Sequence, residues 1–175
     1  MQRASHYAPA GAWPAVQAAD SLVLAFDDRY RRRLKVVTAG GDDLLVDLPA
    51  AVAMADGDGL KTDAGDWIAV RAADEPLIRI YADGPAHLAR IAWHIGNRHL
   101  PAQITVNGLL IRPDHVIEAM VRGLGGHTET IHAPFQPEGG AYGSHGHAHG
   151  HGHDHDHDHD HDGDHGHGHH GAGRA

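Results

Sequence analysis

The chain has 175 residues, no cysteine and a formal net charge of −9. The lack of cysteine excludes disulfides and thiolate metal sites. The net negative charge argues against a nucleic-acid partner, because phosphate binding needs a basic surface. No stretch approaches the ~18 apolar residues needed to cross a membrane, and no apolar signal sequence is found at the N-terminus, so we expect a cytoplasmic protein.

Residues 1–75 have the pattern of a small β domain, although residues 1–20, rich in Ala and Pro, are expected to be loosely ordered. Turn-forming Gly, Asp and Pro separate short apolar runs, which predict strands at residues 21–26, 34–38, 44–48 and 67–71. The basic run Arg29-Tyr30-Arg31-Arg32-Arg33 fits two interpretations, a partner-binding edge or a solvated strand whose charges protect a sheet edge.

Residues 76–143 begin with a predicted strand at residues 77–81, followed by a helix. Gly84-Pro85 opens this helix, because proline is tolerated at the first helical position. Gly96 is a natural stop for it. Between them runs one apolar stripe, made of Leu88, Ile91, Ala92 and Ile95.

Asn107-Gly108 predicts a two-residue β-hairpin, and Pro113-Asp114 opens a second helix that Gly125-Gly126 closes. Residues 127–132 are predicted to form the last strand of this segment. The order β-α-β-β-α-β is the ferredoxin-like arrangement. We therefore predict an α+β protein, with a β domain at residues 1–75 and a ferredoxin-like domain at residues 76–143.

A third segment, residues 144–175, contains 13 of the 20 histidines, and five His-Asp pairs follow one another from His153 to Asp162. Gly and Ala make up most of the rest, so the segment cannot build a core and is expected to be disordered. Dense imidazoles bind divalent metals, and sites without thiolates suit nickel, zinc, cobalt or copper(II). The candidate ligands are His145, His147, His149, His151, His153, His155, His157, His159, His161, His165, His167, His169 and His170.

Seven histidines lie outside this tail, and His99 differs from the others because it lies just past the first helix. The simpler explanation for a histidine at this position is that it caps the helix at the negative end of the helix dipole. One imidazole cannot hold a metal, but a two-fold axis would place two His99 side chains opposite each other. His115, at the start of the second helix, fits either a separate metal site or a local structural role.

The remaining body histidines are interpreted as structural or solvated; they are His6, His87, His94, His127 and His132. The body has no HExxH motif and no three-ligand cluster within one element, which excludes a zinc enzyme. We find no catalytic site, so we predict that the protein is not an enzyme.

Several motifs resemble the UreE family of urease accessory proteins, which act as nickel metallochaperones. They are Leu48-Pro49, Asp56-Gly57-Asp58-Gly59-Leu60, His94-Ile95-Gly96-Asn97-Arg98-His99-Leu100-Pro101 with Gln103, Asp114-His115-Val116, and residues 135–142. The resemblance implies an N-terminal domain similar to a peptide-binding domain of Hsp40-type chaperones. It also implies a C-terminal metal-binding domain that forms a homodimer, with His99 as the ligand shared across the dimer.

The resemblance further implies delivery of Ni²⁺ to apo-urease, through a GTP-hydrolysing accessory protein, with Zn²⁺, Cu²⁺ or Co²⁺ as competing ions. Some relatives carry a second histidine two positions before the equivalent of His115, where this chain has Pro113. We therefore expect metal capacity beyond His99 to lie on the tail. The alternative function is a cytoplasmic nickel or zinc buffer or storage protein.

Nickel binding should weaken as the pH falls through about 6.5, because a histidine must be neutral to bind a metal. Calorimetric titration with Ni²⁺ at about pH 8 and about pH 5.5 measures this dependence. Equal affinities at the two pH values would count against imidazole coordination.

Overall fold

The computed structural model of the chain describes residues 1–139, and the predicted tail with its thirteen candidate ligands lies outside that range. The segment Met1–Gly140 forms one compact unit that contains two β-sheets. Within the described range, neither helix is long and apolar enough to span a membrane.

The first sheet has six strands in the order β2-β6-β5-β1-β4-β3. The pairs β1–β4 and β2–β6 are parallel, and the other neighbours are antiparallel. Its core is apolar and includes the fully buried Leu22, Leu44 and Leu60. The strands are β1 Gln2–Ala8, β2 Ala18–Leu24, β3 Tyr30–Val37, β4 Asp43–Ala53, β5 Gly59–Thr62 and β6 Trp67–Ala72.

Residues 2–8, expected to be loosely ordered, instead form β1 in the interior of this sheet, between β4 and β5. Ala4 is fully buried in the core. The sequence of β1 is short and poor in large apolar residues, so its strand character comes from hydrogen bonding to both neighbours and not from local preference. The sequence patterns also missed β5, which follows the Gly-Asp turn directly.

The turn before β5 is held by the carboxylate of Asp58, which is 2% exposed. Its oxygens accept hydrogen bonds from the main-chain N–H groups of Ala10 at 2.8 Å and Ala55 at 2.6 Å, and from the hydroxyl of Tyr7 at 2.9 Å. Burial and this hydrogen bond raise the pKa of Tyr7 to about 12. Asp58 therefore ties the end of β1 to the predicted turn.

The second sheet confirms the ferredoxin-like, α+β prediction. Its four strands are antiparallel in the order β10-β7-β9-β8, and two helices cover one face. The elements are β7 Asp74–Tyr81, α1 Pro85–Gly96, β8 Ala102–Thr105, β9 Gly108–Ile111, α2 His115–Gly123 and β10 His127–Pro134.

The ends of both helices follow from the sequence. Pro85 is the first residue of α1, and Gly96 is the last. The side chain of Asp114 caps α2 by accepting hydrogen bonds from two main-chain N–H groups, at 2.9 and 3.1 Å.

The position of the β8–β9 hairpin loop differs by one residue from the prediction, because the loop is Val106-Asn107. Gly108 belongs to β9, where a Cβ atom would overlap the carbonyl oxygen of Ile80.

A buried arginine joins the two sheets. Arg29, 4% exposed, lies between the sheets and donates to the carbonyl oxygen of Phe135 and, at 2.9 Å, to Oε1 of Gln136. The ring of Phe26 packs edge-on against that of Phe135, with 5.2 Å between centroids. Burial lowers the pKa of Arg29, but a guanidinium remains charged in proteins. The hydrogen bonds of Arg29 thus link the segment after β10 to the first sheet.

Replacing this arginine should destabilise the protein. Arg29→Met leaves the carbonyl of Phe135 without its buried donor, which we expect to cost about 1–3 kcal/mol in urea unfolding. Arg31→Met is the matched control, because Arg31 forms an exposed pair with Asp28 and its loss should change stability by about 0.5 kcal/mol or less. Equal effects of the two substitutions would contradict a joining role for Arg29.

Candidate metal site

A hydrogen-bonded turn at the end of α1 presents His99. The main-chain N–H groups of Asn97, Arg98 and His99 each donate to a carbonyl oxygen of α1 at 3.0 Å. The guanidinium of Arg98 donates to the carbonyl oxygen of His94 at 2.7 Å. Since these groups satisfy carbonyls at the helix end, the helix does not require the His99 side chain as its cap.

The backbone of His99 is strained. Its φ is 54°, and it is the one residue other than glycine with a positive φ within residues 1–139. This left-handed conformation costs an ordinary residue on the order of 1 kcal/mol, and such strain concentrates at functional sites. The side chain is exposed. The turn therefore fixes the backbone of residue 99 and leaves its imidazole open to solvent, where it is accessible to a metal ion.

One copy of the described chain does not complete a metal site around His99. No group of three or more His, Asp or Glu side chains that could hold a metal occurs in residues 1–139. His115 is the first residue of α2 and is exposed. Within residues 1–139, His115 also has no such group of metal-binding side chains around it. A metal site that includes His99 would therefore need ligands from outside this part of one chain.

The other body histidines have local surroundings of their own. His87 lies 2.8 Å from the carbonyl oxygen of Leu124 through Nε2, which links the ends of α1 and α2. His127 stacks on Tyr81, with 5.0 Å between ring centroids. His94 packs edge-on against Trp93 at 5.0 Å. These contacts agree with the structural interpretation made from the sequence.

An apolar surface adjoins the His99 turn. A groove of about 230 Å³ lies between the end of α1 and the sheet, and Gly96, Leu100 and Ile104 help to line it. Ile104 is 64% exposed. Exposed apolar surface of this kind is typical of protein–protein contacts. Sequence patterns did not reveal this surface, because Ile104 alternates correctly for a strand and only the structure places it on an outer strand.

The chain leaves the described range beside the same turn. The main-chain N–H of Gln136 donates to the Gln103 side chain at 2.8 Å, and that of Glu138 donates to the carbonyl oxygen of Ala102 at 2.9 Å. Residues 136–138 therefore run along β8 in the opposite direction, towards Leu100. Glu138 also lines the apolar groove. Near the end of the described range, the chain thus lies at the same groove as Leu100, the residue after His99.

Two family models match the chain. The model described as UreE urease accessory protein, N-terminal domain, matches residues 3–73, and the one described as UreE urease accessory protein, C-terminal domain, matches residues 75–173. Together they extend over both sheets and much of the tail. This result confirms the resemblance identified from the sequence motifs.

Curated relatives agree with the family models. The urease accessory protein UreE of Bradyrhizobium sp. (strain ORS 278) is 57% identical over 125 residues, which are 71% of this chain and 60% of that protein. The UreE of Rhodobacter capsulatus is 46% identical over 144 residues, 82% of this chain and 88% of its own length. The UreE of Agrobacterium fabrum (strain C58 / ATCC 33970) is 46% identical over 146 residues, 83% and 90% of the two chains. The chain thus spans about 60% of the first of these relatives and most of the other two.

The strained backbone predicts an order of stability among variants at position 99. Asparagine tolerates a positive φ, so His99→Asn should change the free energy of unfolding by about 0.5 kcal/mol or less. Valine is β-branched and disfavours this conformation, so His99→Val should cost about 1–2 kcal/mol. Urea denaturation of both variants provides the comparison. Equal stabilities would show that the turn does not hold residue 99 at positive φ in solution.

Proposed function

We propose that this chain, which belongs to the UreE family of urease accessory proteins, binds Ni²⁺ through histidines and delivers it to apo-urease during assembly of the urease metallocentre. Nickel is cargo here, and the protein is a carrier in the cytoplasm, not an enzyme. The observation that supports this function best is His99, exposed and held at positive φ beside an apolar groove that Glu138 also lines.

A homodimer supplies the second ligand. A single imidazole binds nickel weakly, but a two-fold axis near His99 places two such side chains opposite each other. The groove lined by Leu100 and Ile104 is the apolar surface that a second copy would cover. In this arrangement two rigid imidazoles define one site between protomers.

Tail histidines complete the coordination shell. From Glu138, beside β8, the seven residues to His145 can span up to about 23 Å. Tethering gives these imidazoles a high effective concentration at the site, while each bond remains replaceable. Asp residues next to them can accept a hydrogen bond from the second imidazole nitrogen, which favours the metal-binding form. The tail therefore loads and unloads the site formed by His99.

Nickel fits this ligand set, because it accepts imidazole and oxygen ligands in tetragonal or octahedral geometry. Zn²⁺, Cu²⁺ and Co²⁺ accept similar ligands and would compete. The urease apoprotein and its GTP-hydrolysing accessory protein are the partners proposed from the family, with the first sheet as a surface for them. A separate metal site at His115 has less support than the site at His99.

A metal buffer or storage protein is the second candidate. It is favoured by the distribution of histidines, since 13 of 20 lie in the tail and residues 1–139 contain no three-ligand cluster. In that case the tail would hold the metal, and the folded part would only carry the tail. The two functions make different predictions for a truncated chain.

The test measures bound Ni²⁺, protomer mass and activation of apo-urease for four proteins: the intact chain, His99→Asn, a chain ending at Tyr142, and the truncated chain with His99→Asn. We expect the truncated dimer to keep about one tightly bound Ni²⁺ per dimer and to activate urease. The truncated His99→Asn protein should do neither.

His132→Asn in the truncated chain is the matched control, because His132 is exposed on β10 and lies apart from the His99 turn. It should behave as the truncated parent. If truncation alone abolishes both nickel binding and urease activation, the storage function is correct and the carrier function is not.

A further inference from the structure

A short segment after β10 joins the two sheets. This strap, residues 135–138, begins with the fully buried Phe135, whose carbonyl oxygen accepts a hydrogen bond from Arg29. The side-chain oxygen of Gln136 accepts two more, from the Arg29 guanidinium at 2.9 Å and from the main-chain N–H of Asp56 at 3.1 Å. Both donors lie in loops that connect strands of the first sheet. Gln136 is therefore the side chain through which the first sheet holds the strap.

The other side of the strap lies along the edge of the second sheet. β8 is the last strand in the order of that sheet, so the strap covers its outer main-chain groups. The main-chain N–H of Glu138 donates to the carbonyl oxygen of Ala102 at 2.9 Å, and that of Gln136 donates to the Gln103 side chain at 2.8 Å. These two bonds, with the three from the first sheet, fix the strap between the sheets.

The strap also forms one wall of the apolar groove, because Glu138 lines that groove together with Leu100 and Ile104. A second copy that covers the groove removes water from the strap and from the edge of β8. The carbonyl oxygen of Ala102 then needs a donor within the protein, since a buried main-chain group without a partner is costly. The strap supplies this donor through the N–H of Glu138.

We propose that the strap completes the docking surface for a second copy of this chain, and that Gln136 is the positioning residue that keeps the strap in place. This inference rests on the proposed homodimer and names what supports its surface. The first sheet takes part in dimerisation through the strap, although the residues that line the groove all lie between residues 92 and 138. A weaker hold on the strap lowers the dimer affinity and with it the pairing of two His99 side chains.

Loss of the Gln136 side-chain oxygen should release the strap without unfolding a sheet. The Arg29 guanidinium and the N–H of Asp56 would both lose this acceptor. Water can replace part of these bonds, because Gln136 is exposed, so the opening remains local. In a two-fold dimer each strap occurs twice, and its release weakens the interface at two places.

Hydrogen exchange at the amide of Glu138 measures the hold on the strap. Gln136→Leu removes the acceptor, and Gln136→Glu is the matched control because it keeps an acceptor oxygen for both donors. Each is combined with Ile104→Gln in the metal-free full chain, so that no second copy covers the groove. We expect the Glu138 amide to exchange at least about tenfold faster in Gln136→Leu than in its parent or in Gln136→Glu. The amide of Leu124, bonded at the end of α2, should exchange at an unchanged rate in all three proteins.

Sedimentation equilibrium of the metal-free full chain, with Ile104 unchanged, measures the effect on the dimer. Gln136→Leu should raise the dimer dissociation constant at least about tenfold, and Gln136→Glu should raise it by less than about threefold. Ile104→Gln alone tests the groove itself, because it replaces an exposed apolar side chain there. It should also weaken the dimer at least about tenfold.

Three results would overturn the role of the strap while the groove remains the dimer surface. They are an unchanged Glu138 exchange rate in Gln136→Leu, an unchanged dimer dissociation constant in that variant despite faster exchange, and equal effects of Gln136→Leu and Gln136→Glu. A dimer that Ile104→Gln does not weaken has a different meaning. It would show that the groove proposed for the homodimer is not its surface, and the role of the strap in dimerisation would be rejected with it.

Discussion

The buried guanidinium of Arg29 fixes the geometry on which the other features depend. Arg29 directly precedes β3 of the first sheet and holds the segment that follows β10 of the second sheet, through Phe135 and Gln136. The same segment hydrogen-bonds along β8 to Ala102. As a result residues 136–138, near the end of the described range, are held against both sheets.

The surroundings of His99 fit the proposed carrier function. A closed site with four ligands from one chain would bind its metal firmly and release it slowly. The described chain instead offers His99 without a cluster around it, on a turn whose main-chain hydrogen bonds keep its position fixed. In the proposed site, ligands from a second copy and from the tail would be exchanged one at a time. Transfer to another protein requires such stepwise replacement.

The sequence predicted the second sheet well because its signals are local. Pro85, Gly96 and Asp114 mark helix ends through chemistry that acts within a few residues. β1 was not predicted, since its strand character depends on neighbours distant in sequence. The motif around His99 was recognisable, and the resemblance implied a role for His99 as a metal ligand, which stays a prediction. The apolar groove could not be predicted, because it depends on how α1 meets β8.

The central claim is that nickel is shared by two His99 side chains, one from each protomer. Anomalous diffraction at the nickel absorption edge, from crystals of the nickel-loaded chain ending at Tyr142, tests it most directly. We predict one strong peak on a two-fold axis, within bonding distance of both His99 imidazoles. Peaks only at other histidines, such as His115, or no peak at all in crystals of an intact dimer, would contradict the claim.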